Sequence, residues 1–167
     1  MIDQSKLLPG DCLLYKRTPF RRSPLGWFFG LVINVKTWSR FSHVEIYDGD
    51  GRSLASRDGK GVGRYPLRLE ELAAVRRPTA MNFSHEIGSR WFNLVEGQKY
   101  DWRGLLCFTL AVKQGAQDRM FCSEFATRFY RASGLELFNS DVDADKISPA
   151  QLHQTPCLTT VVFTTEA

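Results

Sequence analysis

The chain has little of what usually announces a chemistry. Its 167 residues include three histidines, four cysteines and three methionines. The cysteines at 12, 107, 122 and 157 are widely spaced, with no C-x-x-C and no paired Cys/His spacing, which argues against a zinc site. No P-loop or G-x-G-x-x-G is present, so no nucleotide cofactor is indicated. The G-x-S-x-G elbow of serine hydrolases is missing too. "DGDG" (48–51) lacks the twelve-residue spacing and closing Glu of a calcium loop and reads better as a hairpin turn. No cofactor and no metal are therefore expected. The most apolar stretch, "LGWFFGLVINV", has about a dozen residues against the roughly 20 that a transmembrane helix needs. The opening "MIDQSKLLPGD" lacks the charged-then-apolar build of a signal peptide, so the expectation is a chain that is cytoplasmic as synthesised, in a reducing compartment.

What is present is ordinary for a globular protein: 43% hydrophobic and 24% charged residues. The length fits one compact domain spanning 1–167. A formal charge of +4 permits an anionic partner. Arg and Lys are spread along the chain, and no nucleic-acid motif accompanies them, so no nucleic-acid partner is expected. Nothing in the sequence sets an oligomeric state.

Periodicity and punctuation give an α+β reading, with helices grouped apart from an antiparallel sheet. "LPGDCLLYKR" is a turn leading into a strand at Cys12–Tyr15. Ser23-Pro24 starts a helix to about Trp38, with Lys36 and Arg40 at its end, read as a core helix in preference to a surface-seeking one. "SHVEIYDGDGRSLASRDG" is two strands around a turn. "GVGRYPLRLEELAAV" reads as a short strand and a helical turn, and "RPTAMNF" as another strand. Ser84 caps a helix to about Glu96, with Ile87, Trp91, Leu94 and Val95 at helical spacing. "YDWRGLLCFTLAVKQ" gives a further helix, and another runs from Cys122 to a C′ glycine at Gly134. "ISPAQLHQTP" supplies a helical turn and "CLTTVVFTT" a closing strand.

Two residues stand out for chemistry. Cys122 opens an amphipathic helix whose apolar stripe is Phe125, Ala126, Phe129 and Tyr130. A thiol there feels the positive end of the helix dipole, which favours the thiolate, and its own N–H can donate to an oxyanion. Cys122 also shares a face with Ala126, so a buried structural cysteine is equally compatible with the pattern. Cys12, Cys107 and Cys157 lie in apolar runs, where cysteine is a small hydrophobe. Along "SHVEIY", alternation sends Val44 and Ile46 one way and His43, Glu45 and Tyr47 the other. That second face is either an ordinary water-facing surface or a site wall in which Glu45 fixes the tautomer of His43. His85 and His153 sit on no patterned polar face. Glu124, in the first turn after Cys122, complements the dipole as a structural residue.

"LPGDCLLYK", "SHVEIYDGDG", "YDWRGLL", "FCSEFATRFYRASG" and "ISPAQL", in that order, resemble the circularly permuted NlpC-like cysteine peptidases, relatives of the lecithin:retinol acyltransferase group. The order of His43 before Cys122 matches the permuted branch. The resemblance implies a rearranged papain-like fold, with Cys122 as nucleophile, His43 as base and a third polar group orienting the imidazole. In this branch that group can come from the following strand, which here reads "SLASRDG" with Ala55 and Ser56 and no acid before Asp58. Glu45 is therefore the first choice for the third group, ahead of Asp58 and Ser56. NlpC-like enzymes commonly cleave amide bonds in cell-wall peptides, so the resemblance implies a peptide or muropeptide substrate, reached outside the cytoplasm by some delivery route. The alternatives are a lipid thioesterase or acyltransferase using the same dyad, with transient membrane-surface contact, and a non-catalytic binding module that kept the fold.

Overall fold

A computed structural model of the protein describes residues 3–16, 24–101 and 119–161. Its centre is a six-stranded antiparallel sheet. The strands are β1 (Cys12–Lys16), β2 (Phe41–Gly49), β3 (Arg52–Arg57), β4 (Gly61–Pro66), β5 (Leu72–Pro78) and, after the two-residue strands β6 (Lys99–Tyr100) and β7 (Arg119–Met120), β8 (Leu158–Thr160). Across the sheet they run β4-β3-β2-β1-β5-β8, and β6 and β7 pair separately in parallel. The helices are α1 (Pro24–Thr37), α2 (His85–Val95), α3 (Cys122–Ala132) and α4 (Pro149–Gln154).

β1 is a central strand, and its continuous apolar run "CLLY" is what a strand covered on both faces requires. Cys12, Leu14, Val44, Ile46 and Leu54 face α3, whose Phe125, Ala126, Phe129 and Tyr130 are all fully buried against them. Leu13, Tyr15, Tyr47, Leu72 and Val75 build a second, smaller core on the opposite face. β2 is thus not half-solvated. The face carrying His43, Glu45 and Tyr47 is roofed by its neighbours, and Glu45 is 0% exposed.

The start of the chain is pinned by its turn. Gly10 sits at φ +94°, and a Cβ there would lie 2.5 Å from the Phe83 ring. Asp11, buried beside it, accepts from Arg77 Nε and Nη2 at 2.7 Å each and caps the Leu8 N–H at 2.9 Å. The Tyr130 hydroxyl donates to the Gly10 carbonyl at 2.9 Å, tying α3 to the entry of β1. At the far end of β2 the hairpin forms as its turn residues demand, with Gly49, Asp50 and Gly51 all at positive φ.

Four details differ from the sequence reading. "LEELAAV" holds good helix formers, yet only Leu69–Glu71 makes a 3-10 turn, and Leu72–Pro78 is β5 because it pairs with β1 and β8. The strand expected in "RPTAMNF" accordingly ends at Pro78. α2 is capped by Ser84 as expected, but its buried residues are Gly88 and Phe92, while Ile87 and Leu94 point outward. α1 forms, but buries only Gly30 and Ile33 among its described side chains. Of the helix read in "YDWRGLLCFTLAVKQ", Tyr100 lies in β6, and the residues from 102 on, Cys107 among them, lie outside the described residues, as does the end of the closing strand. No helix among the described residues is long and apolar enough to cross a membrane.

Candidate active site

The site forms where the N-terminus of α3 meets the start of β2. An extra residue in β2 makes this corner: Tyr15 pairs with His43, while Lys16 pairs with Phe41, leaving Ser42 as a bulge. As a result Phe41 and Val44, three residues apart, both enter the core under α3, and His43 is turned to the other side. Cys122, at the first position of α3, is 1% exposed.

His43 is held from two directions. Its Nε2 lies 3.0 Å from Glu45 Oε1, an i, i+2 contact along one strand face. Cys122 is the other group near enough to the ring to raise its pKa. With Nε2 engaged by Glu45, Nδ1 is the nitrogen left for the thiol. Burial by itself would lower the imidazole's pKa, but Cys122 and then Glu45 overcome it and raise the value above the ordinary one. Both partners therefore favour the protonated ring.

Glu45 is the most heavily bonded side chain of the region. It accepts from Ser53 Oγ at 2.5 Å, from Arg57 Nε at 2.7 Å and Nη2 at 2.9 Å, and from Arg68 Nη2 at 2.9 Å, in addition to His43. Burial pushes a carboxyl toward neutrality, yet the bond and charge of His43 with the two guanidiniums hold this one far below the carboxylate range. The clamp is itself supported: Arg57 donates to the Pro66 carbonyl at 3.0 Å and stacks over Tyr65, and Arg68 pairs with Glu71 at 3.2 Å and lies over Tyr15. Such bidentate and stacked contacts need arginine.

The other residues considered for the third position have different places. Ser56 Oγ donates to the Met120 carbonyl at 2.6 Å, so it anchors the chain two residues before Cys122 to β3. Asp58 bears on the Tyr100 hydroxyl, which also feels Cys122. His85 Nε2 lies 3.3 Å from Asp48, and the His153 ring packs on Phe41 at 4.5 Å. Glu124 departs from the expected dipole partner. It is buried, and burial lifts its carboxyl to about 7 against the Arg128 ion pair at 2.8 Å. Arg57, Arg68 and Ser53 are additions. Ser53 and Arg57 share a strand face with Glu45 across the hairpin, a signal that alternation contains. Arg68 comes from an irregular segment that carries no such signal.

At the head of α3, the N-cap residue Phe121 supplies no side-chain acceptor. Helix geometry leaves the first-turn N–H groups without intrahelical partners, so the positive end of α3 lies beside the Cys122 sulfur. Free thiols are recorded at Cys12, Cys122 and Cys157, and no group of three or more possible metal ligands is found among the described residues. Full burial pushes the Cys12 thiol up to about 12. In comparisons with known proteins, the chain matches no family model and no curated protein.

Proposed function

We propose that the protein is a cysteine hydrolase with Cys122 as nucleophile, His43 as base and Glu45 as the orienting group, on a circularly permuted papain-like (NlpC-like) fold. The observation that carries this reading is the His43 imidazole, held by the Glu45 carboxylate at 3.0 Å and raised in pKa by its neighbour Cys122. A nucleophile, a base and a third group fixing the base is the arrangement that activates a thiol.

In this mechanism His43 takes the Cys122 proton, and the sulfur attacks the carbonyl carbon of the substrate. The oxygen's negative charge falls at the head of α3, where one backbone donor is worth about 3 kcal/mol in the barrier. The tetrahedral species collapses with cleavage of the C–N bond, and the amine leaves with the proton from His43. Water, deprotonated by His43, then attacks the thioester carbonyl, and the regenerated Cys122 thiol and the free acid complete the cycle. The substrate class put forward is an amide in a peptide, with cell-wall muropeptides as the first to assay. The same dyad serves a lipid ester or thioester equally well, and the outward apolar residues of α1 favour keeping that class in the assay.

The test is turnover of muropeptides and of short-chain thioesters by wild type, Cys122→Ala and His43→Ala, with intact-mass detection of an acyl adduct. Loss of turnover in both variants and an adduct on the Cys122 peptide are expected. Unchanged turnover in Cys122→Ala overturns the mechanism. The binding-module alternative predicts no turnover by wild type and no difference in alkylation rate at Cys122 between wild type and His43→Ala.

A further inference from the structure

We infer that α1 and the turn after it dock the protein on an anionic lipid surface, beside the site that holds His43. The helix is apolar on two sides. Gly30 and Ile33 are buried, while Phe28, Val35 and Trp38 are 53%, 65% and 96% exposed. Phe28 and Val35 are seven residues apart and so share one helix face. At 14 residues the helix is too short to cross a bilayer, and an outward apolar face with an aromatic at its end suits a helix lying in the interface plane.

Charge identifies the occupant. Basic residues are dispersed over the whole chain, but acidic ones are not. From Cys12 to Val44 there are six Lys and Arg and no Asp or Glu, so the remainder of a chain of net +4 carries net −2. Lys16 and Arg40, at the two strand ends flanking the helix, are exposed. An apolar patch set in a one-sign basic stretch complements anionic headgroups and acyl chains together. A neutral protein partner would have no use for that charge, and a second copy of the same basic stretch would be repelled.

The geometry also connects the surface to the site. Trp38 takes a left-handed turn at φ 49°, and the Ser39 N–H closes on the Asn34 carbonyl at 3.2 Å, so the chain passes from α1 into β2 within three residues. Trp38 is five residues from His43. A substrate held in or on the membrane would therefore be presented close to the dyad, but the docking itself does not depend on any reading of the acyl chemistry.

The experiment is flotation of the full chain with vesicles of phosphatidylcholine alone and with a third of phosphatidylglycerol, at low and high salt. Cys122→Ala is run alongside and should bind as wild type, separating docking from catalysis. Wild type is expected to float with the anionic vesicles and to lose most of that binding in high salt. Val35→Ser/Trp38→Ser should weaken binding about tenfold or more, and Arg40→Glu about fivefold or more. Leu94→Ser, on α2, should change nothing, and circular dichroism checks that each variant is folded. Absence of flotation with either vesicle overturns the inference. So does equal binding by Val35→Ser/Trp38→Ser, or a concentration-dependent dimer in wild type that this variant abolishes, which would make the face a contact between copies.

Discussion

Glu45→Gln tests the buried carboxylate that the proposed site depends on. The substitution keeps shape and volume but removes the charge that Arg57, Arg68 and His43 share. Taking one partner from a buried ion pair costs about 3–5 kcal/mol, and the partial exposure of the two arginines, 14% and 19%, points to the lower end. At neutral pH a loss of about 3 kcal/mol is expected, moving a urea midpoint by roughly 1.5 M at a slope of ~2 kcal/mol/M.

The pH dependence makes the test specific. The folded-state pKa of Glu45 lies well below its ordinary 4.5. Below that value the unfolded chain takes up a proton at this position and the native one does not, so the stability this group contributes is present above about pH 4.5 and lost as pH falls toward the folded value. From pH 7 down to 5 the wild-type advantage over Glu45→Gln should not fall, and it should grow as His43, whose pKa Glu45 raises, takes up its proton. Further down it should shrink with a slope approaching about 1.4 kcal/mol per pH unit. Urea titrations of both proteins at half-unit steps from pH 7 to 2.5 measure this directly. A difference that stays flat through pH 3 refutes the reasoning, because it means that the carboxyl is not held ionised by its neighbours.

Glu124→Gln should act in the opposite sense. A folded value near 7 makes the stability of this group full below about pH 4.5 and lost as pH rises through 7, so removing the charge should stabilise the protein by roughly 2 kcal/mol at pH 8, after allowing for the half-exposed Arg128 pair, and by little at pH 5. Gly88→Ala places a Cβ 2.1 Å from Ser133 Oγ and 2.7 Å from Phe129 Cζ, and overpacking of that kind should cost about 1–3 kcal/mol in thermal or urea unfolding. Arg57→Lys loses the forked contact to Glu45, and alkylation of the Cys122 peptide by iodoacetamide, followed by mass, should slow relative to wild type while the Cys157 peptide is unaffected.

The strand and helix that carry the proposed dyad were legible because their patterns are local. Alternation in "SHVEIY" separated His43 and Glu45 from Val44 and Ile46, and the stripe from Phe125 to Tyr130 set α3 on the sheet. What alternation does not encode is the second roof. Leu13, Tyr15, Leu72 and Val75 belong to other strands, so a face that looks polar along β2 becomes an interior once β1 and β5 are added. The same non-local pairing makes a strand of "LAAV", directly after the helical turn. Arg68 could not be found because irregular backbone has no period, and the Ser42 bulge because one extra residue leaves no trace in composition.

Those non-local additions are what make the local ones chemically sensible. An acid two residues from the base on one strand gets its geometry from the pleat alone, without any tertiary precision. The same closeness buries it, however, and an isolated buried carboxyl would protonate and lose its pull on His43. Arg57 and Arg68 answer that, and the pairing of Arg68 with Glu71 leaves two guanidiniums against two carboxylates. Apart from the His43–Cys122 pair the cluster is then neutral, and in the proposed first step the proton that His43 gains leaves its counter-charge on the adjacent sulfur. Charge separation is confined to the Cys122–His43 contact, at the end of the helix whose dipole favours it.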